Sequence, residues 1–134
     1  MPALTETTSP PLISIEDELK ESIQNQQDLE KQVILHILVP ARRYFNQLRI
    51  WPSSYLIDCQ STHQSKLLWA ENISIMPTWT FIFPYQETRF TLHFEALPKS
   101  CSQFDFIEQI PEPGGFEIRN IIRNRTDIYH LTLD

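Results

Sequence analysis

From Val33 onward, short apolar runs rich in β-branched and aromatic residues alternate with turn-forming residues, and each run reads as a strand. VILHILV (Val33–Val39) is apolar at nearly every position and stops at Pro40, as a strand buried on both sides would. FNQLRIW ends at Pro52 and two serines, YLIDC (Tyr55–Cys59) runs into the polar turn QSTHQ, and KLLW and NISIM follow, the last halted by Pro77. The clearest alternation comes next. Trp79, Phe81 and Phe83 point one way and Thr80 and Ile82 the other; after PYQET the chain returns with Phe90, Leu92 and Phe94 inward and Thr91, His93 and Glu95 outward. This predicts a hairpin with both aromatic rows in the core. Pro98, Lys99 and Ser100 end it, FDFIE offers Phe104 and Phe106 on one face, PEPGG introduces FEIRNII, and IYHLTL closes the series. Strands this short and regular predict an antiparallel sandwich or barrel over residues 33–134.

The first 32 residues follow another pattern. Residues 1–13 mix Thr, Ser and Pro around few apolar groups and read as a flexible tail. Residues 14–32 form an acidic arm with two readings. In one, Ser14 caps a helix, Ile15, Leu19, Ile23, Leu29 and Val33 fall near helical spacing, and Glu16, Asp17 and Glu18 favour the positive end of its dipole. In the other, part of Ile13–Gln27 pairs as a first strand, and periodicity leaves both open.

Composition changes the picture in three ways. A chain of 134 residues, 41% hydrophobic and 21% charged, forms a real core without metal or disulfide staples. Ten prolines against two glycines argue against phosphate-cradling loops. The net charge of -6 is uneven: Met1–Gln32 holds seven acids and two lysines, or -5, leaving -1 for the rest. A near-neutral core with an acidic arm has no electrostatic footprint for nucleic acid. No basic and apolar leader reads as a secretory signal and no run is long enough to span a bilayer, so the expectation is a cytoplasmic, soluble protein. Cys59 and Cys101 then stay free thiols; on secretion they could pair.

VILHILV, RIWPSSYLID, AENISIMP, FTLHFEALPKSCSQFDFIE and FEIRNI, in that order, resemble the small immunoglobulin-like all-β domain that stands in front of the redoxin (thioredoxin-like) domain in some bacterial proteins. There the same places look like an apolar strand, "syLvd", "aegI", "F-t-L-x-F-e-P-l-P", a spacer and "f-D-f-I-E". The similarity spans roughly Val33 to Ile122 and rests most on Phe90–Glu108. It implies an immunoglobulin-like β-sandwich accessory domain, here standing alone, with no catalytic residues to carry over. The redoxin part with its C-x-x-C and the export signal do not occur, and Gln86, Glu87 and Thr88 replace the usual Gly before the FTLHF strand.

Asp105 and Glu108 could divide acid and base roles, but residues three apart on a strand face opposite sides, so the preferred reading has them accepting backbone N–H groups. His36, His63, His93 and His130 show no metal-ligand spacing, and Cys59 to His63 is the nearest approach. Lys99 is the one base close to Cys101. Gly114 and Gly115 make a turn, and the sequons at Asn72 and Asn124 matter only in a secretory pathway. Arginines recur at 42, 43, 49, 119, 123 and 125, suited to an acidic partner or the chain's own arm. Trp79 fits the core, whereas Trp51, before Pro52, is the tryptophan expected at the surface.

The function expected is a non-catalytic protein-interaction or regulatory β-sandwich module, without metal or cofactor. Arg42, Arg43, Trp51, Arg119, Arg123 and Arg125 form the expected partner surface, and a sheet edge is open to homo-oligomer formation. Two alternatives remain. One is a small-ligand or carbohydrate binder using Trp51 with Tyr44 or Tyr55. The other is an enzyme using Asp105, Glu108 or His93.

Overall fold

Among the described residues nine strands form where apolar and polar residues alternate: β1 (Val33–Val39), β2 (Asn46–Leu48), β3 (Ser54–Asp58), β4 (Gln64–Glu71), β5 (Thr80–Ile82), β6 (Thr88–Phe94), β7 (Gln103–Glu108), β8 (Glu117–Ile122) and β9 (Ile128–Thr132). The computed structural model describes residues 32–41, 43 and 46–133, and all nine strands lie in the second of two units, Gln32–Asp134. The expectations for the tail, for the arm as helix or strand, and for Arg42 and Tyr44 fall outside the described residues. Among those residues there is no helix, so the class is all-β.

Seven strands make one sheet in the order β8-β7-β3-β4-β6-β1-β9, and β2 and β5 form a separate antiparallel ribbon. All pairs in the large sheet are antiparallel except β1 with β9, where His36 stands opposite His130. Chain order forces this sheet to curl. β8 and β9 sit at its opposite ends, yet only residues 123–127 join them. Six residue steps reach at most ~22 Å, whereas seven flat strands at ~4.8 Å spacing would place the ends ~29 Å apart.

Aromatic contacts across the interior agree. Phe94 on β6 meets Phe106 on β7 edge-on at 5.8 Å, and Phe104 on β7 meets Tyr129 on β9 at 5.2 Å. The turn in the sheet falls in β4. Its residues Gln64–Lys66 pair with β3 and its residues from Leu67 to Glu71 with β6, the latter pairing carrying a register shift between Leu67 and Trp69, where Leu68 is exposed.

The core is built from alternate residues. Val33, Leu35, Ile37 and Val39 of β1 meet Phe90, Leu92 and Phe94 of β6, and Leu56, Phe104 and Phe106 close the opposite side. Burying each of these Phe side chains stabilises the fold by roughly 2–3 kcal/mol. β1 departs from the expected double burial: its inward row is sealed, while Ile34, His36 and Leu38 on the other face are only half-buried.

Two predicted elements are corrected. NISIM is no strand; its contribution is one parallel bridge between Ile75 and Ile50. The hairpin joining Trp79–Phe83 to Phe90–Phe94 does not form either, because β5 pairs with β2 and β6 with β1 and β4. The face of β5 is also inverted. Ile82 is buried, and Trp79, Phe81 and Phe83 are exposed. An alternating run fits either face equally well, and the ribbon turns its aliphatic side inward.

Candidate functional site

Arg49, Ile50 and Trp51 decide the site through strand geometry alone. The Ile50–Ile75 bridge holds this stretch extended, with Ile50 N donating to Ser74 O and Met76 N donating to Ile50 O, both at 2.9 Å. Ile50 is fully buried. Side chains alternate along an extended chain, so Arg49 and Trp51 share the side opposite Ile50. There the Arg49 guanidinium lies 3.9 Å from the ring centroid of Trp79 and 5.6 Å from that of Trp51. Contacts of this kind contribute about 0.5–2 kcal/mol, more where water is excluded. Arg49 Nη1 donates to Pro77 O at 3.3 Å and Nη2 reaches Glu112 Oε1 at 3.5 Å. Its Nε is buried and has no hydrogen-bond partner among the described residues.

These groups line a hollow of about 520 Å³, completed by Leu48, Ile110, Phe116 and the turn from Glu112 to Gly115. Glu108 fixes that turn. Its carboxylate accepts Trp51 N through Oε2 and Phe116 N through Oε1, each at 2.9 Å, so the entry to β3 and the β7–β8 connection hang on one side chain. Burial pushes the Glu108 carboxyl above the usual range, and the two N–H donors and Arg49 pull it back part of the way. The turn also needs glycine. A Cβ on Gly115 would stand 2.6 Å from Glu108 O, and Gly114 has φ of 93°, a backbone region that side chains disfavour.

The two expected acids are thus separated. Glu108 lies on the buried side of β7 with Phe104 and Phe106, and Asp105 lies on the other. Asp105 Oδ1 accepts Asn120 N at 2.8 Å, where β8 takes a positive φ beside its register shift against β7, and Oδ2 accepts Arg119 Nη1 at 3.3 Å. Both carboxylates satisfy backbone N–H groups.

The described residues of the expected partner surface stand in different settings. Trp51 lines the hollow, half-buried, and Arg43 and Arg125 are exposed. Arg119 is held by Glu117 and Asp105. Arg123 is wholly engaged in the β8–β9 turn: Nε and Nη2 donate to the two oxygens of Asp127 at 2.7 and 2.9 Å, and Nη1 donates to Pro98 O and Cys101 O. Tyr129, whose hydroxyl donates to Asp127 at 3.0 Å, is pushed up to about 12 chiefly by burial. Tyr55 lies on β3, outside the hollow.

Trp79 is the correction that matters most. Expected in the core, it stands 44% exposed as a wall of the hollow, because β5 presents its aromatic side outward. Arg49 is anticipated in the sequence only as one of the recurring arginines, and Trp79 is assigned to the core; the structure brings the two together. The signal was there in the R-I-W spacing, which places a cation and an indole side by side on any extended chain.

The histidines occupy separate settings. His36 and His130 stack at 5.0 Å on the outer sheet face, with His36 Nδ1 2.8 Å from Thr91 Oγ1. His93 is covered by the parallel ring of Trp69 at 3.7 Å and meets Glu71 at 2.7 Å, which buries a residue expected to point outward. His63 bonds Ser65. Among the described residues no group of three or more His, Cys, Asp or Glu could hold a metal ion. Both cysteines are free. Burial, with Asp105 near Cys59 and Asp58 near Cys101, raises each thiol, which disfavours the reactive thiolate. Among the described residues no helix is long and apolar enough to cross a membrane.

Compared with protein families, curated proteins and solved structures, the chain matches none of them.

Proposed function

We propose that this chain is a non-catalytic protein-recognition module, an immunoglobulin-like β-sandwich that docks a short segment of a partner protein in the Arg49–Trp51–Trp79 hollow. One observation carries the reading: a guanidinium laid against two tryptophans at the edge of a hollow large enough for one or two side chains. Indole walls favour an occupant that brings apolar surface. The curled sheet and its single interior support the sandwich. The engagement of Asp105 and Glu108 with backbone N–H groups and the raised thiols support a non-catalytic role.

Selection from a random peptide library displayed on phage tests this reading. The intact chain should enrich a common motif that the Trp79→Ala variant fails to enrich. Enrichment of the same motif by both forms would remove the hollow from the account. A second reading, a small-ligand binder, draws on the hollow's volume, which falls within the range of ligand pockets. It predicts saturable tryptophan quenching by a small molecule together with no peptide motif.

A further inference from the structure

The polar lining of the hollow has a definite sign. Its described cation, Arg49, is covered by Trp79 and tied to Pro77 O, whereas three carboxylates, Glu108, Glu112 and Glu117, stand around it. Both oxygens of Glu108 already accept backbone N–H groups. Glu112 and Glu117 differ from it. Their side chains are 53% and 51% exposed, and the described hydrogen bonds engage one oxygen of each, Glu112 Oε1 at 3.5 Å from Arg49 and Glu117 Oε1 at 2.7 Å from Arg119. The first of these is too long to hold its carboxylate firmly. Between them lies the turn through Pro113, with Ile110 and Phe116 as apolar floor.

We infer that the segment docking here is basic: a Lys or Arg side chain pairs with Glu112 and Glu117 at the rim while a neighbouring apolar side chain fills the space between Trp51, Ile110 and Phe116. The inference rests on the proposed recognition role and reverses the charge expected from the scattered arginines, of which Arg119 and Arg123 are engaged within the fold. A basic side chain also suits the walls, because its aliphatic stem packs on apolar surface while its head stays at the wet rim.

Three short peptides decide the matter, identical except that two positions flanking a central Leu carry Lys, Gln or Glu. Binding is read from tryptophan fluorescence of the intact chain. The Lys peptide should bind several-fold tighter than the Gln peptide and lose that advantage in high salt, with the Glu peptide weakest. Glu112→Gln and Glu117→Gln should each weaken the Lys peptide by about threefold, in line with rim ion pairs, and leave the Gln peptide unmoved. Glu87→Gln, outside the hollow, should change neither. If Lys and Gln peptides bind alike, or both rim variants keep full affinity, the charge inference is overturned and the hollow stands. If none of the three peptides binds, the recognition role falls with it.

Discussion

Arg123 and Arg49 are both long cations folded back on their own chain, yet they end in opposite states. Arg123 sits in a turn where its three terminal nitrogens donate to Asp127 or to the carbonyls of Pro98 and Cys101, and Asp127 in turn receives Tyr129. Arg49 has the larger apolar contact, with two indoles, and poorer hydrogen bonds: one at 3.3 Å, one at 3.5 Å and a buried Nε with none among the described residues. A fully satisfied cation holds a fold together. One left short of acceptors beside a hollow has capacity for something else. The lesson is that arginine count said little about recognition, whereas the degree of hydrogen-bond satisfaction separates the two regions.

The difference has measurable consequences. The largest concerns Arg123. Its replacement by Ala strands Asp127 and should cost about 3 kcal/mol, read from urea unfolding, whereas Arg49→Ala should cost about 1–2 kcal/mol and abolish peptide binding. Equal losses at the two positions would erase the contrast. Gly115→Ala comes next. A Cβ driven against Glu108 O should destabilise the fold by roughly 1–3 kcal/mol and weaken binding as well, since the same turn forms the floor of the hollow. A variant that unfolds at the wild-type midpoint would show that the turn yields freely.

The smallest effect is a pH dependence of opposite sign in the two regions. In the β3–β4 turn, the Gln60 N–H, aided by the Ser61 hydroxyl, holds Asp58 below its ordinary value of 3.8. That stabilisation is present above the ordinary value and fades as pH falls through the lowered one. Glu108, raised by burial, works the other way: its contribution is complete below the ordinary value of 4.5 and is lost as pH rises through the raised one. Urea midpoints between pH 3 and pH 7 should therefore show a smaller acid loss for Asp58→Asn than for the wild type and a larger one for Glu108→Gln. The same slope in all three forms would refute both assignments.

Much of the sheet was legible in the sequence because strand parity is a local property. Phe90–Phe94 and Phe104–Phe106 place their inward rows where the pattern predicts, whereas Val33–Val39, uniformly apolar, hid which of its rows faces in. Legibility failed where parity had two solutions. Trp79, Phe81 and Phe83 alternate as cleanly as Phe90, Leu92 and Phe94, and only the choice of pairing strand, a long-range matter, turned them outward. The hollow was harder still. Arg49, Trp79 and Glu112 come from three separate stretches, brought together by the Ile50–Ile75 bridge and by the hold of Glu108 on the turn before β8. Asp105 and Glu108 could be assigned in advance because opposite faces follow from spacing alone.

The pairing of β1 with β9 bears on how the protein is made. Ile34 aligns with Ile128, so the first strand of this unit waits for the ninth before its second edge is covered. On the ribosome, the long hydrophobic run of Val33–Val39 emerges early and lacks that neighbour until Ile128–Thr132 has been synthesised. Closure is then a late, non-local event, and for this interval the bare edge of Val33–Val39 is open to pairing with other strands.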